Sequence, residues 1–167
     1  SLINTFENTG YLPDARSGND NGLTQGGSNA DIIIADACVK NIKGIDYQKG
    51  LKAMLKNAEI DPGSFHKKIG RGGLEEYKKL GYVSYNQERS GTRTVEYALC
   101  DFAIAQVAKG LGKNDIHSKY MQRSQSWKNL WRDTLIGGIR GYISFECECL
   151  CFLSTFILYF SSESLSL

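Results

Sequence analysis

The sequence predicts an all-α fold built from two inner/outer pairs of helices. Two observations predict it. The helical segments alternate along the chain between segments that are apolar on every side and segments with one apolar stripe. No convincing run of residues has the period of two that a half-buried strand shows. A simple bundle would make all four helices amphipathic, so the alternation favours a two-layered ring, of which two pairs form only a part.

The first predicted pair follows a region rich in turn-forming residues, 1–30. Residues 31–42 are apolar all round a helical wheel, which is typical of a buried helix, with Ser28 as its N-cap. A buried strand at 32–34 is the competing interpretation, and the length of the apolar run disfavours it. Residues 46–58 form an amphipathic helix that Pro62-Gly63 ends.

The second predicted pair follows a connection, residues 63–91, that contains one short helix at 74–80. Residues 92–111 are again apolar nearly all round, and the glycines at 110 and 112 mark the end of that helix. Asp115 caps the next helix, which is amphipathic. Its apolar stripe consists of Ile116, Tyr120, Trp127 and Trp131.

Composition permits a buried core and excludes several classes of protein. The chain has 167 residues, of which 41% are hydrophobic and 23% charged, so it is one domain or a piece of a larger one. Twenty basic and 18 acidic residues give a net charge of +2, which offers no basic surface to a nucleic acid. Five cysteines are too few for a disulfide scaffold. No signal-peptide pattern is visible at the start.

The last part of the chain, residues 142–160, is rich in Phe, Leu, Ile and Cys. Glu146 and Glu148 oppose membrane insertion, and the charge-free run at 149–160 is shorter than the roughly 18 residues that a span needs. A membrane anchor is therefore disfavoured, and a buried or aggregation-prone segment is favoured. The three cysteines between 147 and 151 lack the spacing of zinc ligands.

Several strings in the chain resemble glycoside hydrolase family 92, the calcium-dependent exo-α-mannosidases, and its fungal-type branch most of all. They are SLINTFENTGYLPDARSGNDNGLTQGGSNADIIIADACVKNI (1–42), GRGGLEEYKKLGYV (70–83), RTVEYALCDFAIAQVAKGLGKND (93–115) and RSQSWKNLW (123–131). The resemblance implies a catalytic domain with an (α/α)6 toroid, of which residues 1–132 would be a fragment. Beyond it, residues 133–167 read as a divergent apolar and Ser-rich tail that is not native to the family.

The resemblance also implies a chemistry that this chain does not carry by itself. An inverting glycosidase needs a carboxylic acid and a carboxylate base on opposite sides of the sugar. The family motifs that hold them, and the calcium ligands, lie downstream of the region covered, so we expect no catalytic and no metal-binding residue here. The segment GNDN at 18–21 reads as a turn. The parent protein would hydrolyse terminal α-mannosides of N-glycans or mannan, with α-1,2 as the expected linkage. The sequence leaves its location open between a secreted or extracytoplasmic one and the cytosol.

One loop could still contact the mannose-containing substrate. In a helical toroid, one end of the inner helices forms the mouth of the pocket, and the loop at 24–29 precedes the first inner helix. Small residues let the backbone approach a sugar, and polar side chains there can bind hydroxyl groups. The candidate substrate-binding residues are Gln25, Gly26, Gly27, Asn29 and Asp31. An ordinary loop and helix cap is the alternative interpretation.

Two further features bear on the second buried helix. A buried carboxylate needs a partner, and Arg93 can pair with Glu96 at i, i+3. Position 100, where family members carry an acid or amide, is a cysteine, which puts in doubt any role of that position and Asp101 as a pair. Two other functions remain as alternatives: a helical interaction module without catalysis, and another (α/α) toroid glycosidase or lyase. A repeat module is disfavoured because 31–58 and 92–131 share a pattern but no residues.

Overall fold

The computed structural model describes residues 1–13, 15–17, 20–22, 28–63 and 69–144. Helices dominate this part of the chain, which confirms the predicted helical fold. The helices are α1 (Leu2–Thr9), α2 (Asn29–Val39), α3 (Tyr47–Glu59), α4 (Leu74–Leu80), α5 (Ser90–Gly110) and α6 (Asn114–Arg123), with a 3-10 helix at Ser124–Leu130. The strands are β1 (Ala15–Ser17), β2 (Asp20–Gly22), β3 (Trp131–Ile136) and β4 (Ile139–Ile143).

The two long helix pairs have the predicted inner/outer arrangement. Helix α3 runs back along α2, because the hydroxyl of Tyr47 donates to Ala37 O at 2.8 Å while Asn57 donates to Ser28 Oγ at 3.1 Å. Helix α6 runs back along α5 in the same way, from His117 opposite the carbonyl of Ala105 to Arg123 opposite Asp101. Each pair is thus an antiparallel hairpin of helices.

The two inner helices, α2 and α5, run parallel to each other. The thiol of Cys100 donates to the carbonyl of Ser28 at 3.4 Å, and Cys38 lies against Gly110. The start of α2 is therefore level with the middle of α5, and both helices end together. Together with α3, they form the main hydrophobic core, whose fully buried side chains include Leu51, Met54, Ile104 and Val107.

The predicted boundaries of α2 shift by a few residues in the structure. The helix begins at Asn29 and ends at Val39, three residues before the predicted end at 42. Asn41 adopts a left-handed φ of 54°, which an α-helix cannot continue through. Helix α3 starts close to its prediction, because Asp46 Oδ1 accepts from Lys49 N at 2.9 Å and so caps the helix.

Helix α1 lies within the region in which the sequence analysis predicted turns. No residue of α1 is fully buried, although Leu2 and Phe6 pack partly against the main core. A short helix with so little buried surface owes its position to tertiary contact rather than to a strong apolar pattern. Its end is at Gly10, which has a φ of 81°.

Two antiparallel hairpins add strands that the sequence analysis did not predict. The β1–β2 hairpin has three residues per strand, too few to show an alternating pattern. The β3–β4 hairpin turns at Gly137 and Gly138, with φ values of 56° and 83°. Positive φ at both central residues is the geometry of two-residue hairpin turns, for which a Gly-Gly pair is suited.

The inner helices are not covered on every side in this chain, although the sequence analysis predicted an all-round burial. Val39 of α2 is 69% exposed, and Phe102 of α5 is 43% exposed. Ile33 and Leu99 are exposed as well. An open apolar side on both inner helices is what an incomplete ring would leave. Within the part of the chain that is described, no helix combines the length and the apolar character needed to cross a membrane.

Candidate functional site

A buried cluster of charged side chains joins the two helix pairs where α2 begins. We call it the charge cluster; its members are Asp31, Glu59, Arg71, Asp101 and Arg123. At its centre is Arg71, whose side chain is entirely buried. Arg71 Nη2 donates to Asp31 Oδ2 at 3.0 Å, and its Nη1 donates to Asp101 Oδ1 at 2.7 Å. One guanidinium therefore joins the first turn of α2 to the middle of α5.

Asp101 accepts hydrogen bonds from three side chains. Besides Arg71, the guanidinium of Arg123 binds it in bidentate fashion, with Nε at 2.7 Å from Oδ2 and Nη2 at 2.9 Å from Oδ1. The hydroxyl of Tyr77 donates to Oδ2 at 2.9 Å. Asp101 is fully buried, and these charge-assisted contacts supply the hydrogen-bond partners that a buried carboxyl group needs.

The cluster continues to the surface through Glu59, at the end of α3. Its Oε1 accepts from Arg123 Nη1 at 3.1 Å, from the hydroxyl of Tyr120 at 2.5 Å and from Lys119 Nζ at 2.9 Å. Lys78 Nζ also lies 3.9 Å from Glu59 Oε2, so three carboxylates face two arginines and two lysines. The cluster links α2, α3, α5 and α6.

Aromatic rings enclose the two guanidinium groups. Arg71 lies 5.3 Å from the ring centre of Tyr97, and Arg123 lies 4.5 Å from that of Tyr120. Tyr77 and Tyr97 meet edge to face with 5.5 Å between ring centres. The cation–π contacts and the edge-to-face contact hold the guanidinium groups in place and shield them from solvent.

Burial and neighbouring charges shift the pKa values of several groups in and beside the charge cluster. Loss of solvation raises the pKa of Asp31 to about 6, and the positive charge and hydrogen bond of Arg71 only partly offset that rise. Burial alone would lower the pKa of Arg71, but the carboxylates of Asp101 and Asp31 raise it well above its usual value. Burial acts to raise the pKa of Glu59, yet hydrogen bonds from Tyr120 and Lys119 leave it lowered. Burial raises the pKa of the Cys100 thiol, which faces Asp31.

Of the five predicted substrate-binding residues, the structure describes Asn29 and Asp31. Gln25, Gly26 and Gly27 lie outside the described residues. Asn29 is the first residue of α2 and its side chain is exposed, so it is free to contact a ligand. Asp31 is fully buried and bound to Arg71, so in this chain its carboxylate faces protein rather than solvent.

The pairing of Glu96 with Arg93 that the sequence analysis predicted is wrong. Among the described residues no ion pair joins Arg93 to Glu96; the buried acid of α5 is Asp101, and its cations come from outside α5. Arg71 follows a stretch of turn-forming residues and carries no helical pattern that would place it. A buried carboxylate calls for a cation, but the sequence does not say which one.

The charge cluster does not have the composition of a calcium site. Calcium takes six to eight oxygen ligands, mostly carboxylates and carbonyls. Within the described ranges, no group of three or more His, Cys, Asp or Glu residues is placed to hold a metal ion. The acids of the cluster are instead bound by arginine and tyrosine. Its chemistry is therefore that of a neutralised, interlocking structural contact.

Comparison with known proteins places this chain in a family. The model for the "Glycosyl hydrolase family 92 catalytic domain" matches residues 1–147. An uncharacterized secreted glycosidase from Arthroderma benhamiae is 41% identical, and the match covers 78% of this chain but 18% of that protein. The match therefore spans less than a fifth of this relative.

Solved structures agree with the sequence match. An inverting mannosidase of family GH92 from Bacteroides thetaiotaomicron superimposes with a TM-score of 0.72 and 33% identity, over 80% of this chain and 18% of that one. A GH92 α-mannosidase from the same organism, also solved in complex with mannoimidazole, gives a TM-score of 0.55 and 35% identity over 62% of this chain and 13% of its own. The family match extends past the boundary predicted at residue 132, and that boundary stays a prediction.

Proposed function

Because the chain belongs to glycosyl hydrolase family 92, we propose that it is a segment of the catalytic domain of an inverting exo-α-mannosidase. The observation that carries the proposal is the joint match in sequence and fold to an inverting mannosidase, at 33% identity and a TM-score of 0.72. The parent protein would hydrolyse terminal α-mannosides of N-glycans or mannan, with a preference for α-1,2 linkages. The mannoimidazole complex of a similar α-mannosidase supports a mannose-containing substrate.

The catalytic carboxyl groups of the proposed enzyme belong to the rest of the domain. Inversion requires one protonated carboxyl and one carboxylate about 6.5–9.5 Å apart, with room between them for sugar and water. The fully buried acids described here, Asp31 and Asp101, are both bound by Arg71, and Asp101 by Arg123 and Tyr77 as well. They leave no such space. This segment would instead form part of the framework of the catalytic domain and contact the substrate.

The proposed substrate contacts lie where the chain enters α2. Gln25, Gly26, Gly27 and Asn29 would approach the sugar directly, with the amide groups on its hydroxyls. Asp31 would act behind them: its ion pair with Arg71 fixes the first turn of α2 and so the position of Asn29. Calcium and secretion belong to the proposal for the parent protein. Calcium would be held by residues outside this segment, and the secreted relative supports an extracellular location.

A chimeric enzyme tests the proposed function. Residues 1–132 of this chain replace the corresponding residues of a complete family 92 α-mannosidase, and release of mannose from α-1,2-mannobiose is measured with calcium present. We expect turnover, and we expect Asn29→Ala in the chimera to raise KM. A chimera with native-like circular dichroism that releases no mannose would contradict the proposal.

A further inference from the structure

A second surface of the chain has the composition of a carbohydrate-binding site. A cavity of about 380 Å³ lies between the solvent side of α4 and the loop that leads into α5. This volume is within the range of about 300–1,000 Å³ that small-molecule sites occupy. Tyr82 and Tyr85 line it together with Leu80, Glu75, Lys79 and Asn86.

The loop that carries the two tyrosines is held in place from both sides. Glu76 Oε2 accepts from Ser84 N at 3.0 Å, and its Oε1 accepts from Gln87 Nε2 at 3.4 Å. The amide of Val83 donates to Thr94 Oγ1 of α5 at 2.9 Å, and Asn129 Nδ2 donates to Gly81 O at 3.0 Å. The binding surface is therefore preformed, and ligand binding requires little loss of conformational entropy in the loop.

The chemistry of the lining favours a neutral, polyhydroxylated ligand. Tyr85 is 52% exposed although Ser84 and Gln87 on either side of it are hydrogen-bonded, so its ring offers an apolar face to the C–H side of a sugar. The carboxylate of Glu75, the ammonium of Lys79 and the amide of Asn86 supply acceptors and donors for hydroxyl groups. Glu75 and Glu76 outnumber the one lysine, which disfavours a phosphate or another anion.

The position of the cavity relates it to the N-terminal ends of the inner helices. The loop at 81–87 leads into α5, Ser28 directly precedes α2, and the two inner helices are parallel. Ser28 and the loop at 81–87 therefore lie toward the same end of the inner helices. Ser28 is level with Cys100, so α5 extends beyond the start of α2 by about ten residues, or roughly 15 Å at 1.5 Å per residue. An exo-acting enzyme holds the terminal sugar in its pocket, and the remaining sugars extend outward from the same mouth.

We propose that Tyr82 and Tyr85 form an outer subsite that binds the leaving-group part of a mannose-containing oligosaccharide. This inference rests on the proposed function for the identity of the sugar. Tyr85 would stack on a sugar ring, and Glu75 and Asn86 would bind its hydroxyl groups. The subsite would contribute to affinity for oligosaccharides and leave the chemistry of bond cleavage to other residues.

Saturation-transfer NMR on the 167-residue chain with α-1,2-mannobiose tests the subsite without any catalysis. We expect saturation transfer from the wild-type chain and a loss of affinity of about fivefold or more in Tyr85→Ala. Phe102→Ala removes an aromatic side chain of similar exposure from α5 and should bind mannobiose like the wild type. Asn86→Ala, an exposed change within the same loop, should weaken binding and leave the helical circular dichroism unchanged.

Three results would overturn the subsite: no transfer to mannobiose from the wild-type chain, equal transfer from Tyr85→Ala, or an equal loss in Phe102→Ala. The test separates the two proposals. Tyr85-dependent binding together with an inactive, folded chimera would refute the proposed function and keep the sugar site. An active chimera together with Tyr85-independent binding would refute the subsite alone.

Discussion

Arg71 and Asp101 form an ion pair of 2.7 Å between two side chains that are both fully buried. Thirty positions of sequence separate them, and the pair joins the connection after α3 to the middle of α5. Buried ion pairs add little net stability over apolar packing, but removal of one partner leaves the other charged and without solvent. The two residues therefore depend on each other, and Asp31 depends on the same guanidinium.

Loss of Arg71 should destabilise the chain strongly. Arg71→Met preserves much of the side-chain volume but leaves Asp31 and one contact of Asp101 without a cation. We expect a loss of about 3–5 kcal/mol in the free energy of unfolding, measured by urea denaturation. The exposed pair of Lys40 and Asp36 offers the control, and Lys40→Met should change stability by less than about 1 kcal/mol. Equal effects of the two substitutions would contradict the central role of Arg71.

The hydroxyl of Tyr77 should contribute measurably through Asp101. Tyr77→Phe removes one hydrogen-bond donor to a buried carboxylate and leaves the ring packed against Tyr97. Hydrogen bonds to charged groups contribute about 1.5–3 kcal/mol, so we expect a loss in that range on thermal or urea unfolding. Tyr85→Phe, at an exposed tyrosine, serves as the matched control and should be close to neutral. A neutral Tyr77→Phe would show that Arg123 and Arg71 satisfy Asp101 alone.

Asp31 should make the stability of the chain depend on pH in mildly acidic solution. Its pKa is raised from 3.8 to about 6 in the folded state, so the folded chain binds this proton more tightly than the unfolded chain does. The contribution of Asp31 to stability is therefore largest near pH 4 and decreases as the pH rises through 6. Asp31→Asn removes the titration. The unfolding free energy of the wild type relative to that of the variant should fall by about 1–3 kcal/mol from pH 4 to 7.

The matched control for that titration is Asp36→Asn, at an exposed position of the same helix. It measures what the same change from carboxyl to amide does at a solvent-exposed position, and the effect of Asp31→Asn is compared with it at each pH. A wild-type advantage over Asp31→Asn that grows with rising pH would mean that attraction by Arg71 outweighs burial at Asp31.

The open side of the inner helices should bind an apolar dye. Val39 and Phe102 are large, exposed and on neighbouring parallel helices. We expect ANS fluorescence to rise when the chain is added, because exposed apolar side chains bind such dyes. Leu99→Gln combined with Phe102→Gln should reduce that signal while the helical circular dichroism is retained. A compact, dye-silent monomer would contradict the incomplete-ring interpretation.

The isolated chain should release no mannose from α-1,2-mannobiose, with or without calcium. The described acids of the charge cluster are bound by cations, and the family motifs for the acid and base do not occur in the sequence. Reducing-sugar release over a long incubation measures this directly. Clear turnover that scales with the concentration of the chain would contradict the assignment of catalysis to the rest of the domain.

Periodicity predicted the long helices well. Residues 92–111 read as a buried helix, and α5 spans Ser90–Gly110. Residues 46–58 read as amphipathic, and α3 spans Tyr47–Glu59. The pattern succeeded because the spacing of apolar residues records which sides of a helix are covered. It failed for α1 and for the hairpins, whose short segments carry too few residues to define a period.

The candidate site was predicted less completely than the fold. The sequence singled out Asp31 as a polar residue at the start of an inner helix, and the structure shows that its partner is Arg71. Gln25, Gly26 and Gly27 lie outside the described residues, so their contact with substrate stays a proposal. The sequence did not predict a role for Tyr85, because the function of an exposed aromatic residue in a loop depends on the residues that the fold places beside it.

By itself, the sequence determined that the chain is helical, that its helices alternate between inner and outer, and that it belongs with the family 92 glycosidases. These properties follow from the spacing of apolar residues and from strings of residues that are close together in the sequence. Only the tertiary structure decided which cations pair with Asp31 and Asp101, and that the inner helices α2 and α5 run parallel. The reason is that a buried charge can be satisfied by any opposite charge that the fold brings within about 3 Å, and sequence separation places no limit on that choice.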